Sequence, residues 1–331
     1  MIYRKLSLIG LLLSLISPFS IAADKPNILL IMADDLGFSD LGCYGGEIAT
    51  PNLDSVAENG LRYTQFYNTA RCWPTRAALL TGFYAQQVRR DSIPGAVSIN
   101  QGTRPDWAPL LPRYLQPAGY RSYHSGKWHI SDDPLEYGFD VNIAGGPQGA
   151  PGSYYSPFGN NSKQIKVEKG KSEYLTDLIM ENTLLFLSDV KVPFFLIYSP
   201  YAVHTPIHPV DSLLYKYENK PPYKGQKNPR YATMIENLDR NIGLLVDKLK
   251  KRKLFDNTFI IFTSDNGGYF GKITMQKPLR AGKGSYYEGG IRVPFFFLWK
   301  DKISPGKDTQ TPISHLDIFP TLMDLVGDHS M

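Results

Sequence analysis

Two apolar runs in this chain each end in a pair of oxygen-bearing side chains. Ile28-Leu29-Leu30-Ile31-Met32 leads to Asp34-Asp35, and Phe259-Ile260-Ile261-Phe262 leads to Asp265-Asn266. An uninterrupted apolar run fits a strand covered on both faces, which is the situation in a parallel sheet lined by helices. Both polar pairs then lie at strand C-terminal ends, the edge where ligands collect in open α/β sheets. Oxygen ligands from two strands can meet there around one hard cation. A third segment, Cys72-Trp73-Pro74-Thr75-Arg76, carries a proline that opens a helix. The four-residue spacing puts Cys72 and Arg76 on one helical face at a partly positive N-terminus, an arrangement suited to an anionic substrate.

The rest of the chain alternates between the two periodicities. A helix is expected from Thr50-Pro51-Asn52 through Glu58, closed by Gly60, and a strand over 61–67. Further helices are expected from Pro74 to Thr81-Gly82 and over 110–116, 174–187, 230–250 and 318–325, with strands over 120–124, 194–198 and 294–299. This order predicts an α/β fold, a mostly parallel central sheet flanked by helices on both faces. The 331 residues, 42% of them hydrophobic, suffice for one large core, and no repeat or composition shift marks a second domain. The segments 145–159 and 221–229 are too long and polar for tight turns, so loops over the active-site edge are expected.

Arg4-Lys5, an apolar stretch over 6–16 and Ser20-Ile21-Ala22-Ala23 have the layout of a secretory signal peptide. Residues 1–23 are read as that peptide and 24–331 as the catalytic domain of an exported protein, periplasmic or secreted. An uncleaved anchor is the alternative. The apolar stretch is short for a bilayer and broken by Ser14 and Pro18, so no stable membrane insertion is expected after cleavage. A net charge of +5 says little about partners. The densest basic run, 248–253, closes a helix, where cations complement the dipole, so no nucleic-acid partner is expected. Cys43 and Cys72 are the two cysteines, and a Cys43–Cys72 bridge is the bland alternative to a catalytic Cys72.

Several motifs follow one another in a known order. They are Pro26-Asn27-Ile28-Leu29, Asp34-Asp35-Leu36-Gly37, Cys72-Trp73-Pro74-Thr75-Arg76-Ala77-Ala78-Leu79-Leu80-Thr81-Gly82 and Gly126-Lys127-Trp128-His129. Ser264-Asp265-Asn266-Gly267, Gly282-Lys283-Gly284 and Glu288-Gly289-Gly290-Ile291-Arg292-Val293-Pro294 complete the series. Together they resemble the formylglycine-dependent, type I sulfatase family, arylsulfatase-like, within the alkaline phosphatase superfamily.

That resemblance implies hydrolysis of aryl or carbohydrate sulfates through a formylglycine derived from Cys72. A formylglycine-generating maturation enzyme would make it, with Pro74 and Arg76 completing the signal. Trp73 departs from the serine or threonine commoner at that place. The hydrated aldehyde supplies one hydroxyl to attack sulfur and a second whose deprotonation expels sulfate. By the same resemblance Asp34, Asp35, Asp265, Asn266 and the matured Cys72 hold calcium, with magnesium as the alternative. Lys127 and Lys283 clamp the sulfate, His129 takes the gem-diol proton, and His204 protonates the leaving alcohol. On an extended segment, Lys127 and His129 face the same way while Trp128 turns into the packing.

Family members usually continue past the segment resembling 315–321 into a smaller C-terminal subdomain. This chain reads as lacking it, and an apolar patch is expected near the final helix. Two rival functions remain, a phosphonate or phosphate monoester hydrolase on the same scaffold and a catalytically silent sulfated-glycan-binding protein. The acids at the strand ends have a plainer reading as helix caps, and His124, His208, His315 and His329 as packing or surface residues.

Overall fold

The computed structural model describes residues 25–87, 110–131, 133–159, 165, 172–191, 193–271 and 273–327; the signal peptide expected over 1–23 lies outside the described residues. Its strands are β1 (Asn27–Ala33), β2 (Leu61–Tyr63), β3 (Phe66–Tyr67), β4 (Arg121–Gly126) and β5 (Val141–Ile143). They continue with β6 (Phe194–Ser199), β7 (Thr258–Ser264), β8 (Phe295–Leu298), β9 (Lys307–Thr309) and β10 (Ile313–Ser314). Helices are α1 (Pro51–Glu58), α2 (Cys72–Thr81), α3 (Leu111–Leu115) and α4 (Leu175–Asp189). After them come α5 (Asp211–Leu214), α6 (Pro229–Lys251), α7 (Glu288–Ile291) and α8 (Ile318–Leu325).

Every residue of β1 and β7 is buried, as their apolar runs require. The two strands pair in parallel at the centre of an eight-stranded sheet ordered β5-β4-β6-β1-β7-β8-β2-β9. Pairing is parallel from β5 to β7, and β8 is antiparallel to both β7 and β2. Alternation along β1 splits the core into two layers. Leu29 and Ile31 join one cluster with α1, α4 and α6, while Ile28, Leu30 and Met32 join another with α2, α3 and α8. Helices therefore cover both faces, the architecture that the alternating sequence predicts.

Two local expectations need correction. The strand expected over 61–67 breaks at Thr64 and Gln65, because Thr64 O accepts from the Arg292 guanidinium rather than from a neighbouring strand. The chain there leaves the large sheet, and β3 pairs with β10 in a small one. The helix expected to open at Pro74 already opens at Cys72, since Thr75 N donates to Arg71 O. Proline is tolerated in that first turn because its N–H would be unpaired anyway. Helix α8 exposes no large apolar side chain among the described residues: Ile318, Phe319, Leu322 and Met323 are buried in the layer with α2 and α3. The amphipathic helix turns this apolar face inward.

Gly126 sets how closely β4 approaches β6 as both end. Its φ is +107°, and a Cβ there would lie 2.0 Å from Ser199 O, where Lys127 N donates. Gly126→Ala should therefore cost about 3 kcal/mol through left-handed strain and overpacking, and lower the melting temperature accordingly. Unchanged melting in differential scanning calorimetry would contradict this account of the strand ends.

Candidate active site

Four parallel strands deliver the site residues at one edge. Ala33 pairs with Ser264, so Asp34-Asp35 and Asp265-Asn266 leave the sheet at the same level. Asp265 N donates to Ala33 O at 3.2 Å, and Asp35 N donates to Asp265 Oδ1 at 3.2 Å. Gly126 pairs with Ser199, so β4 runs into Lys127 and His129 beside the β6 loop that carries His204. Helix α2 supplies Cys72 and Arg76 at its first and fifth positions, and the loop before α7 supplies Lys283.

Charge neutralisation organises these groups. Arg76 is buried and donates from Nε to Asp265 Oδ2 at 2.9 Å, with Nη2 2.8 Å from the same oxygen. Its Nη1 donates to Lys127 O at 2.8 Å and Ser199 Oγ at 2.5 Å. Lys127 Nζ donates to Asp34 Oδ2 at 2.7 Å, and Lys283 Nζ to Asp35 Oδ2 at 2.8 Å. Burial by itself would raise the Asp265 carboxyl, but Arg76, Lys127 and Lys283 outweigh it and bring the group down to about 2. Asp34 goes the other way, up to about 6, because burial there exceeds the pull of Lys127. Burial opposes the Lys283 charge as well, yet Asp35 and its neighbours keep that ammonium well above its ordinary value.

The two histidines sit in opposite surroundings. His129 is pushed well below 6.5 by burial, then by the cations Lys127 and Arg76, so it is a neutral base. Its Nδ1 has no hydrogen-bond partner among the described residues. His204 Nδ1 lies 2.7 Å from Thr205 O, which fixes it as a donor, and Nε2 lies 3.7 Å from Asp35 Oδ2. The segment through His129 is not extended as the sequence suggests. β4 ends at Gly126, and His129 has φ +57° with its N–H donating to Gly146 O. Trp128 nevertheless turns into the packing, against His124 and Phe139.

Asp34, Asp35 and His204 place potential ligand atoms within 4.8 Å of one another. Asp34 Oδ1 and Asn266 Oδ1 are buried, with no hydrogen-bond partner among the described residues. Asn266 is oriented by its Nδ2, which donates to Asp35 Oδ1 at 2.7 Å and Gly267 O at 2.9 Å. Unpartnered oxygens beside buried carboxylates fit a hard divalent cation such as calcium or magnesium. Asp265 lies one step further back, with both oxygens already accepting from Asp35 N and Arg76.

Cys72 and Cys43 are free thiols, which removes the bridge between them. Burial raises the Cys72 thiol above its ordinary value, with Lys127 and Lys283 opposing and Asp265 and Asp34 adding to the rise. His124 and His315 are buried, the former pushed to about 3 by burial and Arg76, the latter to about 4 chiefly by burial; His208 Nδ1 accepts from Tyr154 N at 3.3 Å. His329 lies outside the described residues. Sequence reasoning missed Ser199, whose Oγ accepts from Arg76 and which no local pattern singles out, and Gly149, whose absent side chain makes room for the His129 ring. The 145–159 loop does lie over the site: Tyr154 Oη donates to Tyr201 O and lies 3.0 Å from His204 O.

The family model for sulfatases matches residues 26–328. This chain belongs to the sulfatase family. It is 32% identical over 344 residues to the N-acetylgalactosamine-6-sulfatase of Homo sapiens, covering 92% of this chain and 63% of that protein. A sulfatase of Formosa agariphila is 30% identical over 408 residues, covering 98% of this chain and 73% of that one. Among solved structures, Ps i-CgsB in complex with k-i-k-neocarrahexaose superposes with a TM-score of 0.78 and 34% identity, over 93% of this chain and 73% of that one. The chain thus spans less than two thirds of the human relative's length.

Removing Arg76 would leave Asp265 buried without its main partner. Arg76→Ala is expected to destabilise the fold by about 3–5 kcal/mol, measured by urea unfolding. Wild-type stability in that variant would show that the Arg76–Asp265 pair is not what offsets the buried charge.

Proposed function

We propose that this sulfatase-family chain is a sulfuric ester hydrolase acting on a sulfated glycan or small molecule, with residues 24–331 as its catalytic domain. The observation that carries this reading is that Lys127 and Lys283 act on Cys72, with a neutral His129 and a carboxylate-flanked His204 at the same sheet edge. Two ammonium groups suit an anionic ester, and two histidines in opposite surroundings suit one proton acceptor and one donor. A silent binding protein would need neither histidine so placed.

An unmodified Cys72 is a neutral buried thiol and therefore a poor nucleophile. This supports conversion to formylglycine by a maturation enzyme, which would supply an oxygen nucleophile and a covalent route. Calcium, with magnesium as the alternative, would be held by Asp34, Asp35, Asp265, Asn266 and the matured residue, and would polarise the sulfate oxygens. Lys127 and Lys283 bind the anion. His204 delivers a proton from Nε2 to the departing alcohol, and His129 accepts one from the residue at position 72. The names of the human relative and of the neocarrahexaose complex favour a carbohydrate sulfate. Export to the periplasm or beyond follows the N-terminal pattern, and no helix among the described residues is long and apolar enough to cross a membrane.

The exported protein should carry a Cys72 peptide whose intact mass is that of the aldehyde, and Cys72→Ala should abolish turnover of an aryl sulfate while the fold persists. A thiol at position 72 in fully active protein would overturn the mechanism. Faster turnover of an aryl phosphate than of the matched aryl sulfate would favour the phosphoester rival.

Loss of His204 should matter most where the leaving group is poor. His204→Ala is expected to slow a sugar sulfate by about 10²–10⁴-fold and a nitrophenyl sulfate far less, because the latter departs without protonation. Equal losses on both substrates would move His204 from proton donation to binding.

A further inference from the structure

Directly behind Asp35 lies a buried carboxylate to which none of the roles above falls. Asp40 is wholly buried, and both of its oxygens are fully engaged. Oδ2 accepts from Gly37 N at 2.7 Å and from Tyr231 Oη at 2.7 Å; Oδ1 accepts from Thr274 Oγ1 at 2.8 Å and from Gln226 Nε2. These donors come from four separate stretches of chain: the turn after β1, the 221–229 loop, helix α6 and the segment after β7. Gln226 also donates to Met275 O at 3.0 Å, and the Tyr231 hydroxyl lies 3.3 Å from Asp35 O. Asp35 itself is held at φ +61°. The turn leaves no slack, since a Cβ on Gly37 would fall 1.8 Å from Gln276 Oε1.

Only a carboxylate offers acceptor sites to four donors on two oxygens. An amide in its place would turn an NH₂ against two of them, whichever way it was flipped. The 221–229 loop, expected from sequence to lie over the active-site edge, is anchored by Gln226 into this layer.

We propose that Asp40 is a positioning residue for the metal edge: its four-donor carboxylate, with Tyr231, fixes the main chain of Asp35 and so sets the affinity of the site for calcium. The inference rests on the calcium reading given above. Partners behind a ligand orient it, and their loss lowers metal affinity by about 10–100-fold.

The test is calorimetric titration of calcium into the full chain, with the calcium-dependent shift of the melting temperature as a second readout. Asp40→Asn should bind calcium at least about tenfold more weakly and lose most of that melting shift. Asp239→Asn is the control for simple destabilisation. Asp239 is equally buried and accepts from Leu53 N at 2.7 Å and Asn52 Nδ2 at 2.8 Å, where α6 meets α1. That variant should melt lower without calcium yet keep wild-type calcium affinity. Should Asp40→Asn fail to fold, Tyr231→Phe removes one donor and the contact to Asp35, and should weaken calcium measurably with the fold intact.

Wild-type calcium affinity in Asp40→Asn, or in Tyr231→Phe where that is the variant that folds, would overturn the proposal. So would an equal loss in Asp239→Asn. Wild-type protein that binds no calcium would overturn the metal reading and this inference together, whereas tight wild-type binding with an indifferent Asp40 removes the inference alone.

Discussion

Three carboxylates, Asp34, Asp35 and Asp265, are buried at the end of an apolar sheet, and that burial governs the surrounding structure. Each ion withdrawn from water costs several kcal/mol unless it is paired and hydrogen-bonded. Arg76, Lys127 and Lys283 meet that requirement from three different elements. Arg76 does most, because one guanidinium touches the ends of β7, β4 and β6 together through Asp265, Lys127 O and Ser199. The start of α2 is thereby locked against the sheet edge, and Cys72, one turn earlier on the same face, is fixed with it. Positioning of the proposed nucleophile is in this sense a by-product of charge neutralisation.

Much of this was legible in the sequence where local composition decides the outcome. Continuous apolar runs marked the buried strands β1, β6, β7 and β8, and the pairs that follow β1 and β7 sit where the runs place them. Helix faces were equally clear in α4, α6 and α8. Long-range pairing was not legible. Nothing in 61–67 announces that Arg292 takes the Thr64 carbonyl and sends the chain into a second sheet. His129 was readable as a site residue but not in its backbone conformation, because φ +57° is imposed by Gly146 O and the packed Trp128, both distant from any local pattern. Within the polar, mostly exposed 221–229 loop, nothing local marks Gln226 as the residue whose amide satisfies a buried acid.

The two histidines proposed to handle protons sit in different surroundings. Burial and two cations hold His129 neutral, whereas His204 Nε2 lies 3.7 Å from Asp35 Oδ2. The covering loop sharpens the difference. Gly149 lies so close to His129 that a Cβ there would come within 2.6 Å of Cε1, so the loop's main chain forms a wall of the base's pocket. His204, on the open side, remains partly exposed, where an alcohol can enter and leave. The loop's main chain thus packs against the ring of the buried, neutral His129 and leaves His204 partly open to solvent, on the side by which the proposed alcohol product would leave.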